Sequence, residues 1–297
     1  MLKARSTGDH IFDSLNVLGM LLLIFVTLYP FWFVLVGSFS GGLAYTRARG
    51  VFWWPVETTL ANYEVVFREP GIVSAFRMTI YRTLVGTVTH LVVTSLFAYA
   101  FSKKNLVGRK VYATIGMITM FFSGGVIPAY LVRQALGLLN TFWVLIIPAM
   151  INFWNVIIFR AFFAEIPDSI SESAKIDGAG EYRIFVQLIV PLSAAVFAAI
   201  GLFTAVWHWN DFFQPLIFTT SRRFETLPLL LLRTIRTREA ASGMATRAAG
   251  LGVPQDEINP LTIQMATMIV AVAPILMLYP FLQRYFVKGI MLGSIKG

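Results

Sequence analysis

Residues 184–210 read IFVQLIVPLSAAVFAAIGLFTAVWHWN. This run contains no Asp, Glu, Lys or Arg, and it is longer than the about 20 residues that a helix needs to cross a bilayer. Backbone amides in lipid must find hydrogen-bond partners within their own segment, so the run predicts a membrane-spanning helix. It is continuously apolar and does not alternate, which argues against a barrel strand.

Five further charge-free runs have a comparable length. The six runs are Ser14–Thr46, Thr83–Ser102, Val111–Val132, Gln134–Phe159, Ile184–Asn210 and Ile258–Gln283. Within them we predict spans at residues 14–37, 80–102, 111–132, 139–160, 184–208 and 262–284. We therefore expect an all-α membrane protein with six transmembrane helices in one domain, residues 1–297, with external loops at 38–79 and 211–260.

The composition of the whole chain favours the same environment. Of the 297 residues, 57% are hydrophobic and 13% are charged, whereas soluble domains are about 45–50% apolar and about 25% charged. A net charge of +9 would suit nucleic-acid binding in a soluble protein, but the basic residues here stand between apolar runs. Membrane lipid is the expected partner, and nucleic acid is not.

The sequence offers little for metal binding or catalysis. Cysteine is absent, and the three histidines, His10, His90 and His208, are far apart, so no metal site is predicted. The charge-free runs hold no carboxylate pair or histidine cluster, so no catalytic residue is assigned and a membrane enzyme is disfavoured. Without a Gly-Lys dipeptide there is no Walker phosphate loop, and energy from ATP must come from another subunit.

The lysines indicate the orientation in the membrane. With six spans, all of them fall on the side that carries both termini; they are Lys3, Lys103, Lys104, Lys110, Lys175, Lys288 and Lys296. The positive-inside rule then places both termini in the cytoplasm. Arginine is abundant in the two long external loops, but long loops translocate largely regardless of charge.

The cytoplasmic loop at 165–183 contains the most informative segment, IPDSISESAKIDGAG at residues 166–180. It predicts a short helix that Pro167 opens, with capping-box spacing between Ser169 and Glu172. Gly178 is expected to close the helix in a left-handed conformation. An ordinary amphipathic loop between two helices is the alternative interpretation of this segment.

This segment resembles the Glu-Ala-Ala loop of ABC importer permeases. The matching positions are Glu172, Ala174, Asp177, Gly178, Ile189 and Pro191. Ser173 stands where Ala is usual, and Ala195 stands where sugar permeases often have a second Pro, so a softer kink is expected there. The resemblance implies that the loop docks into a cleft of an ATPase subunit.

Other motifs extend the resemblance to the maltose-type permeases over nearly the full chain. They are YPFW at 29–32, NY at 62–63, GLLNT at 137–141, WNDFFQP at 209–215 and TLP at 226–228. The segments at 122–130 and 279–297 are similar to a branch that imports larger or acidic oligosaccharides, including the second permease of alginate importers. In that family the C-terminal tail reaches between two ATPases, and the matching residues are Lys288, Gly289, Gly293, Lys296 and Gly297. A frayed basic end is the alternative.

The resemblance implies a type I ABC importer permease of the bacterial cytoplasmic (inner) membrane. Its expected partners are a homologous second permease, two ATPase subunits, an extracytoplasmic solute-binding protein and an oligosaccharide. ATP and Mg²⁺ belong to the ATPases, so no cofactor is expected in this chain. Two alternatives remain, an ABC permease for another small solute and an ATP-independent secondary transporter.

Polar and aromatic residues inside apolar runs are candidates for the substrate pathway, because lipid penalises them unless they face a cavity or a partner. The strongest candidates are Asn152, Trp154, Asn155, Trp209, Asn210 and Asp211, together with Trp207 and His208. Aromatic faces stack on sugar rings, and amides match hydroxyls. An interfacial aromatic belt and bonds between helices explain the same residues.

The external arginines suit an acidic glycan or an acidic face of a delivery protein, because guanidinium groups bind carboxylates in a forked geometry. They are Arg222, Arg223, Arg233, Arg236, Arg238 and Arg247. Salt bridges to acidic residues of the same loop are the alternative explanation.

Overall fold

A computed structural model describes residues 7–48, 53–236, 246, 250 and 259–293 of the chain. Over these residues the protein is helical and has no strand, apart from an isolated antiparallel bridge between Ser40 and Thr58. The predicted all-α fold class is confirmed in this respect.

The helices vary widely in length. They are α1 (Thr7–Ser38), α2 (Gly42–Arg47), α3 (Ala61–Arg68), α4 (Pro70–Ser102), α5 (Arg109–Phe121), α6 (Val126–Ala135), α7 (Phe153–Ala164), α8 (Asp168–Ile176), α9 (Glu181–Ile184), α10 (Val190–Leu192), α11 (Ala194–Asn210), α12 (Phe213–Phe218), α13 (Leu227–Arg236) and α14 (Pro260–Gly293). Short 3₁₀ turns cover Phe142–Leu145, Ile147–Ala149 and Arg222–Phe224, and a π-helical stretch covers Phe185–Ile189.

The chain folds into two compact units, Met1–Pro70 with Arg233–Val272 and Gly71–Leu232 with Ala273–Gly297. In the first unit, buried Asn62 joins three segments. Its Nδ2 donates to the carbonyls of Ser38 and Ser40 at 3.0 Å, and its Oδ1 accepts from Thr262 Oγ1 at 2.9 Å. Because the side chain satisfies these buried groups, it fixes α3 against the end of α1 and the start of α14. The single domain predicted over 1–297 stays a prediction.

The core of the second unit lies among α4, α7, the π-helical stretch and α11. Val156, Phe159 and Ile184 are fully buried there. Gly116 of α5 packs on this core, since an added Cβ would meet the Phe153 ring at 2.1 Å. Helices in lipid associate through close packing of small residues, so this glycine brings α5 and α7 together.

Several predicted spans differ from the observed helices. Helix α4 begins ten residues before the predicted start at residue 80, and the span predicted at 111–132 is broken between α5 and α6. Phe122 is already extended at the end of α5, and Gly125, just before α6, has a φ of +83° that a continuous helix excludes. The predicted external loop at 38–79 also differs, because it contains α2, α3 and the first ten residues of α4.

The fifth predicted span is sharply bent. Its two parts, Glu181–Leu192 and Ala194–Asn210, meet at 83°, so the expected softer kink at Ala195 is wrong. Pro191 has no N–H to donate, and the π-helical stretch precedes it, which are two recognised causes of kinks. The strong bend therefore forms with Pro191 alone, without a second proline at position 195.

Three of the described helices are long and apolar enough to cross a membrane, and five spans result if each bent pair counts as one. The second bent pair is the 3₁₀ region Phe142–Ala149 with Phe153–Ala164, at 48°. Six spans with both termini in the cytoplasm stay a prediction.

Candidate functional site

Helix α8, Asp168–Ile176, lies in the predicted cytoplasmic loop and is called the loop helix here. It begins directly after Pro167, which occupies the N-cap position with φ −58°. No side chain caps this end, so the predicted capping box of Ser169 and Glu172 is wrong. The helix starts two residues too early for Ser169 to stand at the N-cap.

The other end of the loop helix follows the prediction. Gly178 has φ +81°, and its N–H donates to Lys175 O at 3.0 Å, while Ala179 N–H donates to Ala174 O at 2.9 Å. These two bonds form a Schellman motif, which satisfies carbonyls that the helix end leaves open. The left-handed closure at Gly178 is confirmed, and it gives the helix a fixed C-terminus.

Charged contacts fasten both ends of the loop helix to the rest of the second unit. At its start, Lys104 Nζ donates to Asp168 Oδ2 at 2.9 Å. This hydrogen bond and the opposite charge raise the pKa of Lys104 and lower the pKa of Asp168. Both groups are exposed, so the pair orients the helix more than it stabilises the fold.

Glu181 fastens the C-terminal side. One carboxylate oxygen accepts from Tyr99 Oη at 2.6 Å and lies 3.4 Å from Lys103 Nζ, and the other accepts from Lys175 Nζ at 2.6 Å. The hydrogen bond that Lys175 donates to Glu181 raises the pKa of Lys175. Glu181 therefore ties the loop helix to the end of α4, a role that the sequence motif did not suggest.

The loop helix has one face packed and one face exposed. Ala174 is half-buried and, with Ala179, packs on the core of the second unit. The exposed residues are Glu172, Ser173, Asp177 and Gly178, and Ile176 is 87% exposed. An apolar side chain at the tip of a polar helix suits contact with another protein, although the sequence did not single out Ile176.

Two residues predicted to take part in coupling lie apart from the exposed face. Ile189 is 3% exposed within the core, at the end of the π-helical stretch. Pro191 lies in α10, just before the 83° bend. Their positions suit the transmission of movement along the chain rather than direct contact with a partner.

The structure describes only some of the C-terminal residues that were predicted to contact the ATPases. The backbone of α14 remains helical through Lys288, Gly289 and Gly293, while Lys296 and Gly297 lie outside the described residues.

Among the external arginines, Arg222 and Arg223 are exposed in a 3₁₀ turn, whereas Arg238 and Arg247 lie outside the described residues.

A polar cavity of about 370 Å³ lies within the second unit. Its polar lining comes from five segments of the chain, namely α4, α6, the start of α7, α11 and α12. The lining polar and aromatic residues are His90, Arg133, Asn152, Asn155, Phe203, Thr204, Trp207, His208 and Gln214. This volume lies within the about 300–1,000 Å³ typical of small-molecule sites.

Hydrogen bonds fix His90 and the two asparagines of the cavity. His90 Nδ1 lies 2.8 Å from Ala149 O, and its Nε2 lies 2.9 Å from Asn155 Nδ2. A carbonyl only accepts, so Nδ1 carries the proton and Nε2 accepts from Asn155. Asn152 Oδ1 caps α7 by accepting from the N–H of Trp154 at 2.9 Å, which leaves its Nδ2 as a donor.

Beside the cavity, Arg82 and Asp211 form a buried ion pair. Arg82 Nη1 donates to the Asp211 carbonyl at 2.9 Å, and Nη2 contacts the Asp211 carboxylate. The carboxylate also accepts from the N–H of Phe213 and Gln214 at 2.9 and 3.1 Å. The pair joins α4 to the link between α11 and α12, so Asp211 acts as a structural residue here.

Besides Asp211, three more predicted pathway residues do not line the cavity. Trp154 is 61% exposed, and Asn210 is exposed at the end of α11. Trp209 is buried, with its ring edge-on to Phe76 at 5.9 Å between centroids. Of the predicted residues, Asn152, Asn155, Trp207 and His208 are the ones brought together.

Sequence reasoning missed Arg82, Arg133 and Gln214. Both arginines directly flank charge-free runs, Thr83–Ser102 and Gln134–Phe159, and the search for polar residues inside those runs left them out. A charged residue directly beside an apolar run can still lie within the membrane helix, and treating such residues as pathway candidates would have found both arginines. Within the described part of the chain, no group of three or more His, Asp or Glu side chains is placed to hold a metal.

Comparison with known proteins identifies the family. The model of the family "Binding-protein-dependent transport system inner membrane component" matches residues 2–292. Protein LplC of Bacillus subtilis (strain 168) is 37% identical over 295 residues, which cover 99% of this chain and 97% of that protein. The polygalacturonan/rhamnogalacturonan transport system permease protein YtcP of the same organism is 34% identical over 290 residues, covering 97% and 99%.

A solved structure is similar over nearly the whole chain. It is the crystal structure of a bacterial ABC transporter involved in the import of the acidic polysaccharide alginate, with a TM-score of 0.86 and 29% identity. The match covers 95% of this chain and 99% of that one. The resemblance to ABC importer permeases is thus confirmed, and the chain belongs to the family of binding-protein-dependent transport system inner membrane components.

Proposed function

We propose that this chain is the membrane-spanning permease subunit of an ATP-driven importer that carries acidic oligosaccharides, such as alginate fragments, into a bacterial cytoplasm. The family consists of transport-system membrane components, so the chain is a permease rather than an enzyme. The observation that carries the coupling role is the loop helix, which is exposed on one face and fastened at both ends. Such a helix can receive force from a neighbouring subunit.

The loop helix is built to transmit movement. Ala174 and Ala179 pack on the core, and Glu181 ties the helix to Tyr99 of α4. A push on its exposed face therefore moves the core instead of being absorbed by a flexible linker. In the proposed mechanism, closure of two ATPases pushes on Glu172–Gly178 and swings the bundle from inward-open to outward-open. ATP and Mg²⁺ belong to those ATPases, and this chain needs no cofactor.

The proposed architecture is a type I permease with six spans and both termini in the cytoplasm of a bacterial inner membrane. The lysine distribution supports this orientation. Counting α5 with α6 as one interrupted span, besides the two bent pairs, gives six. A homologous second permease, two ATPases contacted by the C-terminal tail and an extracytoplasmic binding protein complete the assembly.

Two features support an acidic substrate. A relative is described as a polygalacturonan/rhamnogalacturonan permease, and the similar solved structure as an importer of acidic alginate. In addition, the polar cavity is lined by Arg133 and by no Asp or Glu among its described lining residues. A positively charged cavity favours an anionic sugar over a neutral one.

The coupling role is tested with the double variant Glu172→Arg/Gly178→Pro. Proline cannot adopt the φ of +81° at residue 178, and the new charge repels a complementary partner. We expect the tagged variant to lose co-purification of an ATPase subunit and ATP-driven uptake. The control is Glu64→Arg, the same charge reversal in the predicted external loop. Unchanged ATPase association in the double variant contradicts the docking role.

A further inference from the structure

Arg133 combines three properties that point to a ligand. It lines the polar cavity, it carries a permanent charge, and its guanidinium carbon lies 3.7 Å from the centroid of the buried Phe218 ring. The stacking holds the guanidinium plane in place while leaving its N–H groups at the edge. Arg133 makes no ion pair with another described residue.

The carboxylate whose charge reaches Arg133 is already engaged. Asp211 is bound by fully buried Arg82 and caps the N–H groups of Phe213 and Gln214. It therefore cannot turn towards Arg133 without leaving Arg82 and two backbone donors unpaired. The Arg82–Asp211 pair thus keeps the cavity free of negative charge, so the charge of Arg133 is available to a ligand.

Among the remaining cavity groups, Asn152 provides a further donor. Asn152 uses its oxygen to cap α7, so its Nδ2 is left to donate. His90 has both ring nitrogens occupied by Ala149 and Asn155. His208 is fully buried in the cavity wall, and neither ring nitrogen makes a hydrogen bond of normal geometry to another described residue. A ligand with several acceptor oxygens fits the donors of Arg133 and Asn152.

We propose that Arg133 is a specificity-determining residue that binds the carboxylate of a uronate unit as an acidic glycan passes through the cavity. The proposal rests on the proposed import of acidic oligosaccharides. The forked guanidinium donates two parallel hydrogen bonds to the carboxylate, while Asn152 Nδ2 donates to a neighbouring hydroxyl of the sugar. In the proposed orientation Arg133 follows the external end of the third span, where an incoming glycan arrives.

The test is binding to the purified full-length chain in lipid nanodiscs, measured by titration calorimetry without any ATPase. The probes are trigalacturonate and its methyl ester, which share a skeleton and differ in charge. Wild type should bind the acid about tenfold more tightly than the ester or better, and Arg133→Gln should remove that preference without changing ester binding. Arg133→Lys should restore part of it, because it keeps the charge without the fork.

Arg160→Gln is the matched control. Arg160 also lies over a phenylalanine ring, 5.2 Å from the Phe101 centroid, but it does not line the cavity, so the acid preference should persist. Absence of acid binding, equal binding of both probes to wild type, or equal weakening of both in Arg133→Gln overturns the proposal. If the chain still co-purifies with an ATPase in those cases, the permease function stands and only the role of Arg133 is overturned. If wild type keeps the acid preference but does not co-purify with an ATPase, only the proposed coupling is contradicted.

Discussion

Gly178→Ala is expected to loosen the end of the loop helix without removing any side-chain contact. The residue has φ +81°, and an added Cβ would meet no atom within 4 Å. The penalty therefore comes from the backbone alone, and a left-handed conformation costs an L-residue about 1–2 kcal/mol. That cost lowers the population of the closed C-terminus by roughly 5–30-fold.

Hydrogen exchange reports this change directly. The amides of Gly178 and Ala179 close the Schellman motif by donating to Lys175 and Ala174, so their protection should fall by the same factor in Gly178→Ala. Gly178→Asn should lose less protection, because Asn tolerates the left-handed region better than Ala. ATP-driven uptake should decline in the same order.

Gly180→Ala provides a matched control two residues away. Gly180 is exposed, has no atom within 4 Å of an added Cβ, and has φ −73°. Alanine adopts that conformation without strain, so the substitution should leave exchange unchanged or slow it slightly. Equal protection in Gly178→Ala and Gly180→Ala would refute the backbone argument.

Two further predictions concern buried positions of the bundle. Arg82→Met leaves the Asp211 carboxylate without its cation, so this variant should lower the free energy of unfolding by about 3–5 kcal/mol. The double variant Arg82→Met/Asp211→Asn should regain part of that stability, as measured by thermal denaturation in detergent. An equal loss of stability in both variants would contradict the ion-pair account. Gly86→Ala should destabilise by about 1–3 kcal/mol, since its Cβ would lie 2.4 Å from His208 Nε2. Gly19→Ala, in open space within α1, should be neutral or stabilising, and an equal effect at both glycines would remove the packing argument.

Local signals in the sequence were sufficient for the helical class and for the end of the loop helix. Charge-free runs such as 184–210 leave the backbone no stable choice in lipid except to pair within a helix. Gly178 closes a helix because only glycine adopts the left-handed conformation without strain. Both signals act within a few residues, so they are readable without any tertiary information.

Contacts between distant segments required the structure. Nothing in the sequence indicated a partner for Arg82, whereas the structure pairs it with Asp211 and begins its helix at Pro70 instead of residue 80. Sequence reasoning also overlooked Arg133, and it predicted no kink as strong as the 83° bend near Pro191. Apolar surface gives no preference among helices in lipid, so close packing and buried polar pairs decide which helices meet. Those interactions depend on shape in three dimensions, which the order of residues alone does not reveal.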